Sequence, residues 1–396
     1  MPIVEPFKGI FFKEKKIDEL VCPPYDVIDS DYKRQLLSKD EFNIVRIVLP
    51  EGENDQKYEN AKNTLNTWIL QKKLVFDEDC SFYAYSCKYS VDGTEKTLFG
   101  FLGALKLEEL GGSIKPHEKT LKGPKIDRFK LITSTNAMFC PIMMIYDNMQ
   151  LSNFIKNSVK KSLFEVNFEN KLHKVYKIND ISAIDYIKQS INDQTLVIAD
   201  GHHRYETCLS IKEHYKQIGI KIPGSDYALV FFVDKKDELS LMPIHRLVKK
   251  IDIGKFKQKL YNFFEIGDNY NYDIVMYDGE FTYLKFINKK TGGLIEKLDV
   301  KRFEDVVFKG MLNLSDADIA SNEISGYAHS TEEVVKSVDK KEAVVGFLLK
   351  PVTYETLFEI TSHNLTFPQK STYFYPKIPS GLVGYHFSSI EGCENV

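Results

Sequence analysis

The chain has 396 residues, which is more than one compact core usually organises, so two domains, or one domain with a large appendage, are expected. Hydrophobic residues make up 43% and charged residues 28%, a composition typical of globular proteins. The net charge of −3 argues against a general attraction to nucleic acid or to an anionic membrane. Because the sequence has neither a secretory N-terminal pattern nor a run of about 20 apolar residues, we expect a cytoplasmic protein.

The cysteines show no zinc-finger spacing and no pattern of a disulfide framework. They are Cys22, Cys80, Cys87, Cys140, Cys208 and Cys393. We therefore expect buried or partly buried thiols.

Hydrophobic periodicity predicts mixed elements in the N-terminal part of the chain. Residues 57–75 have helical spacing, whereas 81–91 and 96–107 alternate as two strands of a hairpin. A polar stretch over 115–128 follows a Gly-rich loop and is interpreted as a loop. An apolar run over 138–146 then indicates a buried strand with an irregular start.

The remaining elements follow the same alternation. A short strand is predicted at 195–199, a helix after it, and strands at 227–233 and 241–248. Beyond about 250 a second unit is predicted, with helices near 255–264, 302–312 and 354–361, a strand pair near 273–289 and a strand at 343–350. These elements predict an α/β or α+β fold with a mixed sheet, divided into residues 1–250 and 251–396.

The segment from Asp200 to Arg204 is the strongest candidate for chemistry. Gly201 allows close backbone approach to a ligand, and the amides that open the next helix attract anions. Arg204 can bind phosphate oxygens through two parallel hydrogen bonds, while His202 and His203 can donate hydrogen bonds or move protons. Asp200 can hold magnesium or accept a proton. The competing interpretation is a helix-capping turn with solvated histidines.

A second polar cluster precedes the 138–146 strand. It contains His117, Glu118, Lys119, Thr120, Lys122, Lys125, Asp127 and Arg128. These groups could position phosphates and activate an alcohol, and we expect them to face the same pocket as Arg204. The alternative is a solvated loop, which is what charge runs usually form.

Three further groups are candidate substrate contacts. Pro23 and Pro24 stiffen the chain before Tyr25 and Asp26, although the same residues also make an ordinary turn. Arg46, on a segment interpreted as a strand, needs either a core carboxylate or a ligand phosphate as its partner. His245 and Arg246 are predicted on a strand and could line the same cleft, or could be structural.

Several familiar nucleotide and catalytic signatures are missing. The sequence has no P-loop, no dinucleotide-binding Gly-x-Gly-x-x-Gly, no nucleophile elbow and no His-Glu-x-x-His zinc motif. A nucleotide site would therefore be built in another way.

The motifs together resemble the bacterial family known as domain of unknown function one thousand and fifteen. The segments that carry the resemblance are Pro23–Ile28, His117–Thr120, Ala199–Thr207, Pro243–Arg246 and Pro368–Lys377. The Asp-Gly-His-His-Arg segment is also similar to that of free serine kinases with a ParB/sulfiredoxin-like fold. This similarity implies such a catalytic core, with an additional C-terminal α+β unit of unknown role.

The resemblance also implies a function. It suggests phosphoryl transfer between a nucleotide (ATP or ADP) and the hydroxyl of free L-serine, with Mg²⁺ bound at Asp200, in serine metabolism. The glutamate that serves as base in those kinases is matched to Glu118, with Asp26 as second choice. Alternatives are a phosphoserine phosphatase and a non-catalytic nucleotide-binding regulator. The expected partners are serine or phosphoserine and the nucleotide, with no nucleic acid and no membrane, and a homodimer is considered.

Overall fold

The computed structural model describes residues 1–91, 93–118, 123–288, 291–321 and 323–394. Its strands are β1 (Val4–Glu5), β2 (Ile10–Phe12), β3 (Leu74–Phe76), β4 (Phe82–Val91), β5 (Thr94–Lys106), β6 (Ile114–Lys115), β7 (Ala137–Met138), β8 (Ile142–Tyr146), β9 (Phe164–Phe168), β10 (Lys171–Ile178), β11 (Leu196–Asp200), β12 (Tyr227–Asp234), β13 (Ser240–Met242), β14 (His245–Val248), β15 (Phe264–Ile266), β16 (Ile274–Tyr277), β17 (Phe281–Phe286), β18 (Ser325–Ala328), β19 (Val345–Leu349), β20 (Tyr373–Tyr375) and β21 (Tyr385–His386).

The helices are α1 (Ser30–Lys39), α2 (Val45–Val48), α3 (Gln56–Leu70), α4 (Gly123–Thr135), α5 (Met149–Ser158), α6 (Ile181–Asn192), α7 (His202–Gln217), α8 (Ile253–Leu260), α9 (Asp299–Phe303), α10 (Asp316–Ser321), α11 (Thr331–Asp339) and α12 (Tyr354–Ser362). Tyr25–Val27 and Phe387–Ile390 form 3₁₀ turns, and Glu304–Met311 forms a π-helix.

The chain divides into two compact units. The first unit comprises Met1–Pro116, Thr120–Leu239 and Pro376–Val396, and the second comprises His117–Lys119 and Ser240–Tyr375. The sequence-based boundary near 250 lies close to the start of the second unit, but it did not include the return of the C-terminal segment to the first.

A large mixed sheet forms the centre of the first unit. Within the described residues its order is β6-β11-β8-β12-β5-β4-β10-β9, with β1 added beside β5. β12 runs parallel to β8 and antiparallel to β5, and every residue of β12 is buried. The strand is apolar from Tyr227 to Val233. This is expected of a central strand that is covered on both faces, because neither face is in contact with water. The mixed α/β class expected from the sequence is confirmed.

Helices flank this sheet, and α7 packs against α4, which packs against α3. The helix predicted at 57–75 ends earlier, at Leu70, and the predicted hairpin corresponds to β4 and β5. The polar stretch 115–128 was interpreted as a loop, which is wrong for residues 123–128, because they belong to α4. The buried face of this helix is formed by Arg128, Leu131, Ile132 and Thr135, so a charged residue stands at a buried position where the pattern would need an apolar one.

The second unit contains an antiparallel sheet of order β15-β17-β16-β19-β14-β18 among its described residues. The strand predicted over 241–248 is broken into β13 and β14 around Pro243, since proline cannot donate a ladder hydrogen bond. The helix predicted near 302–312 is two segments, α9 and the π-helix that follows it directly. Val248, Phe303, Phe308 and Phe347 are among the fully buried core residues of this unit.

The cysteine prediction is wrong for one pair. Cys80 and Cys393 form a disulfide, which ties the turn before β4 to the C-terminal segment. The other four, Cys22, Cys87, Cys140 and Cys208, are buried free thiols as expected. Because 313 residues separate the bonded pair, no local spacing could indicate it.

A buried histidine predicts how stability depends on pH. His173 is 1% exposed and its Nδ1 lies 2.8 Å from the Tyr85 hydroxyl. Burial lowers the pKa of His173 from 6.5 to about 4. Between pH 6.5 and pH 4, His173 is therefore protonated in the unfolded chain but neutral in the folded chain. The free energy of unfolding decreases as the pH falls through this range.

We expect the free energy of unfolding to drop by about 2 kcal/mol between pH 7 and pH 5 on account of His173. Urea titrations at both pH values should show a smaller drop in His173→Gln than in the wild type. His363→Gln, at an exposed histidine, serves as the control and should keep the wild-type pH dependence. An unchanged pH dependence in His173→Gln would contradict this account.

Candidate functional site

The segment Asp200–Arg204 lies at a strand-to-helix turn, as the sequence predicts. β11 ends at Asp200 and α7 begins at His202. Gly201 between them has a φ of 90°, in the left-handed region that L side chains rarely adopt. The pairing of β11 with β8 shifts register between Ile198 and Asp200, and such an irregularity re-aims the side chain at the strand end.

The Asp200 carboxylate is shared by two cations of the first unit. One oxygen accepts a hydrogen bond from Arg204 Nη2 and the other from Lys377 Nζ. Burial alone would raise the pKa of Asp200, but the charges of Lys377 and Arg204 hold it well below its usual range. Asp200 is therefore an ionised carboxylate throughout the physiological pH range.

Arg204 is buried beneath the turn rather than extended into solvent. Its side chain is 5% exposed, and Nη1 donates to the carbonyl oxygen of Pro141. A Cβ atom placed on Gly201 would lie 2.9 Å from Arg204 Nε and 3.0 Å from Cζ. Burial would lower the pKa of Arg204, but Asp200 outweighs this effect and raises it. Glycine is thus required both for the backbone conformation and for space above the guanidinium.

His202 and His203 occupy the first turn of α7 and are both partly exposed. Glycine as the N-cap supplies no side-chain acceptor to the start of this helix. The dipole of a helix makes its N-terminal end favourable for negative charge. The structure thus brings Asp200, Gly201, His202, His203 and Arg204 together at one turn.

Tyr25 and Arg128 stack against each other near this turn. The Arg128 guanidinium carbon lies 4.1 Å from the centre of the Tyr25 ring, which is a cation–π contact. Arg128 Nη1 also donates to the carbonyl oxygen of Val48 at 2.6 Å, and its Nε donates to Asp127 at 3.0 Å. Burial raises the pKa of Tyr25 to about 12, so its hydroxyl stays protonated. Asp26, which is exposed, helps to raise the pKa of Arg204 through its charge.

A small cavity of about 40 Å³ is enclosed by Tyr25, Arg128 and Arg204, with mostly apolar side chains around them. One water needs about 10–15 Å³ of such volume, so the cavity has room for very few waters and none for a nucleotide. A larger ligand would have to lie on the solvent side of the turn, where His202 and His203 are accessible.

Arg46 does not take the position expected of it. The strand interpretation is wrong, because Val45–Val48 form a short helix in which the β-branched side chains are buried. Arg46 Nη2 donates to the carbonyl oxygen of Leu37 at 3.1 Å. Its partner is therefore a backbone carbonyl instead of the carboxylate or phosphate that the sequence suggested.

The remaining predicted residues lie in the second unit. His117 Nε2 is 2.8 Å from Thr372 Oγ1, and Glu118 Oε1 accepts a hydrogen bond from the Lys370 amide at 3.2 Å. His245 Nδ1 accepts from the Leu349 amide at 3.2 Å. Burial lowers the pKa of His245 to about 4, so it is neutral at pH 7.

Arg246 is also in this unit and is fully buried. Lys119 and Thr120 lie outside the described residues. The prediction that the 117–128 segment faces the same pocket as Arg204 stays a prediction for His117 and Glu118, whereas Arg128 does line the cavity with Arg204.

Two charged residues were missed by the analysis of candidate sites. Lys377 was named only as the end of the segment Pro368–Lys377. Its position after a proline, in a tail of polar and aromatic residues, could have marked it as a candidate site residue. Glu304, which pairs with Arg246, lies in an unremarkable helical stretch and had no sequence signal. Within the described ranges, no group of three or more His, Cys, Asp or Glu is arranged to hold a metal ion. The helices described are also too short or too polar to cross a membrane.

A family model described as "Protein of unknown function (DUF1015)" matches residues 4–301. No curated protein matches the sequence. Among solved structures, a conserved hypothetical protein from Pyrococcus furiosus is 18% identical, covers 70% of this chain and 94% of its own, and has a TM-score of 0.37. A free serine kinase in complex with AMP is 15% identical, with 70% and 94% covered and a TM-score of 0.36. SbnI from Staphylococcus aureus, with a C-terminal truncation, is 12% identical, with 69% and 82% covered and a TM-score of 0.37.

Gly201 and Gly219 flank α7, and we expect their substitution by alanine to lower the free energy of unfolding by different amounts. Gly219→Ala places a side chain at a φ of 69° with no atom within 4 Å of the new Cβ, so only backbone strain of about 1–2 kcal/mol applies. Gly201→Ala adds a collision with Arg204 and disturbs its pair with Asp200. We expect it to cost roughly 1–3 kcal/mol more. Urea unfolding of both variants measures the difference, and equal losses would show that Arg204 is not held under the turn.

Proposed function

This chain belongs to the family described as "Protein of unknown function (DUF1015)", and we propose that it transfers a phosphoryl group between a nucleotide and the hydroxyl of free L-serine. The proposal is supported by the similarity of Asp200–Arg204 to the motif of free serine kinases. We also propose that the first unit has the ParB/sulfiredoxin-like fold which that similarity implies. Its mixed sheet, with the motif between β11 and α7, is consistent with this fold.

The observation that carries the proposal is the charge at the start of α7. One carboxylate, Asp200, is bonded to two cations, Arg204 and Lys377, so this group has a net positive charge. A helix N-terminus capped by glycine lies directly beside it. Fixed cations together with oriented amides favour the binding of phosphate oxygens.

Each residue then has a definite task. Arg204 holds Asp200 and the turn in place, and it can offer a nitrogen to phosphate by exchanging its bond to Pro141. Lys377 and the amides of His202 and His203 bind the phosphates. The ion pairs with Lys377 and Arg204 outweigh the effect of burial and keep the pKa of Asp200 low, so that it stays charged and orients both cations.

Magnesium fits the site only in part. Mg²⁺ is usually held by one or two carboxylates together with substrate phosphates and water, and Asp200 is the residue that would supply such an oxygen. When bound, the ion would neutralise charge on the phosphates. Asp200 would then share its oxygens between Mg²⁺ and the two cations that already contact it.

In the forward reaction, serine Oγ forms a bond to the terminal phosphorus of ATP or ADP, while the bond from that phosphorus to the oxygen of the leaving ADP or AMP breaks. The hydroxyl proton passes to a carboxylate base. Glu118 remains our first candidate for this base, and Asp26 is the second, with the added support that its charge acts on Arg204. Positioning and charge stabilisation would supply most of the rate acceleration.

Phosphorus NMR tests the proposal directly. The protein is incubated with Mg²⁺ and either L-serine plus ATP or ADP, or phosphoserine plus ADP or AMP. We expect phosphoserine to form in the first case and the nucleotide with one more phosphate in the second. Asp200→Asn keeps the shape but removes the charge that orients Lys377 and Arg204, so the rate should fall about 10²–10³-fold.

Asp180→Asn is the matched control, because Asp180 caps the start of α6 and asparagine caps equally well. It should keep the wild-type rate. Release of inorganic phosphate from phosphoserine without nucleotide would instead indicate a phosphatase. Nucleotide binding without turnover would indicate a regulator, and either result would refute the kinase proposal.

A further inference from the structure

Arg246, in the second unit, is fully buried and its guanidinium lies 4.9 Å from the centre of the Tyr327 ring, but its set of hydrogen bonds is incomplete. Nη1 donates to the carbonyl oxygen of Ile244 at 2.9 Å, while Nη2 lies 3.5 Å from that of Gln369 and 3.7 Å from Glu304 Oε1. Nε is buried and has no hydrogen-bond partner among the described residues. A charge-assisted pair is normally about 2.7–2.9 Å long, so this guanidinium lacks a close anion.

The missing hydrogen bond and the lack of a close anion destabilise the folded protein, because a buried charge is stable only when it is paired and hydrogen-bonded. Arg302 in the same unit shows the usual solution. Its Nη2 donates to the carbonyl oxygen of Asn288 at 2.7 Å, and Nη1 lies 3.3 Å from Asp299 Oδ1. The unit can therefore satisfy a partly buried arginine, and the incomplete set at the fully buried Arg246 leaves capacity for an external oxyanion.

The backbone beside Arg246 is unusual as well. Glu304 is the first residue of the π-helix Glu304–Met311. π-Helical turns are rare and are frequently found at functional sites. The Glu304 side chain is 14% exposed, and its burial raises its pKa against the opposing effect of Arg246. It is thus a loosely paired acid that a ligand could separate from Arg246.

The charges around Arg246 select the chemistry of the ligand. Glu304 and Glu118 both act on Arg246 through their charges. The adjacent His245 contributes little charge, since it is neutral at pH 7. Arg246 has the Glu304 carboxylate 3.7 Å away, so a molecule with both an anionic and a cationic group matches this pair better than a simple anion such as phosphate.

We propose that the second unit binds the head group of a free α-amino acid at Arg246. The α-carboxylate replaces the Gln369 carbonyl on Nη2 and reaches Nε, giving the bidentate geometry that arginine favours. The α-ammonium group is received by the Glu304 carboxylate, which lies 3.7 Å from Arg246. The choice of serine as the amino acid rests on the proposed function, but the binding of the head group does not.

Calorimetry without nucleotide tests the site on the full chain. The standard amino acids are first compared by thermal shift, and L-serine is then titrated beside L-serine methyl ester and 3-hydroxypropionate. The ester lacks the carboxylate and the hydroxy acid lacks the ammonium group, so each should bind at least tenfold more weakly than L-serine. If no amino acid binds, or if inorganic phosphate or the hydroxy acid binds as well as serine, the proposal is wrong and Nε contacts only an ordered water.

Substitutions locate the binding. Arg246→Lys keeps the charge but loses the planar fork, and Glu304→Gln loses the ammonium partner, so each should weaken amino-acid binding at least tenfold. Arg302→Lys, the matched control in the same unit, should leave the affinity unchanged. Unchanged affinity in Arg246→Lys would overturn the proposal. Amino-acid binding without phosphoryl transfer would refute the proposed function alone, while transfer that survives Arg246→Lys with unchanged affinity for serine would refute this inference alone.

Discussion

The ion pairing of Asp200 is the interaction on which the candidate site depends. Through one carboxylate it joins the end of β11, the first turn of α7 and the C-terminal segment that carries Lys377. Removing one partner of a buried pair leaves an uncompensated charge, which is more damaging than replacing the whole pair by apolar groups. The same arrangement explains why glycine is needed at 201, because the Arg204 guanidinium fills the space that a Cβ would take.

Local signals allowed the centre of this arrangement to be predicted. The apolar run before Asp200 and the helical spacing after Gly201 are short-range patterns, and both were confirmed. Arg46 was predicted on a strand because its β-branched neighbours favour strands when the sequence is considered alone. In the structure the same side chains are buried from a short helix. Lys377 contacts a carboxylate 177 residues away, and Cys393 bonds a cysteine 313 residues away, so no window of sequence contains either pair.

The segments on which the family resemblance was based separate into two groups. Those around Tyr25, Asp200 and Lys377 lie in the first unit, and those around His117, Arg246 and Thr372 lie in the second. The two groups differ in their ion pairs. The first joins Asp200 to two cations beside a helix start, which suits phosphate. In the second, Glu304 lies 3.7 Å from the buried Arg246, which suits a zwitterion.

The most direct test of the central claim is a crystal structure of the protein with bound ATP and Mg²⁺. Our account predicts that the phosphates lie at the start of α7, within hydrogen-bond distance of the His202 and His203 amides and of Lys377 Nζ. Asp200 should still contact Arg204. Phosphates bound elsewhere on the chain, with the Asp200–Arg204 turn unchanged and empty, would contradict the account.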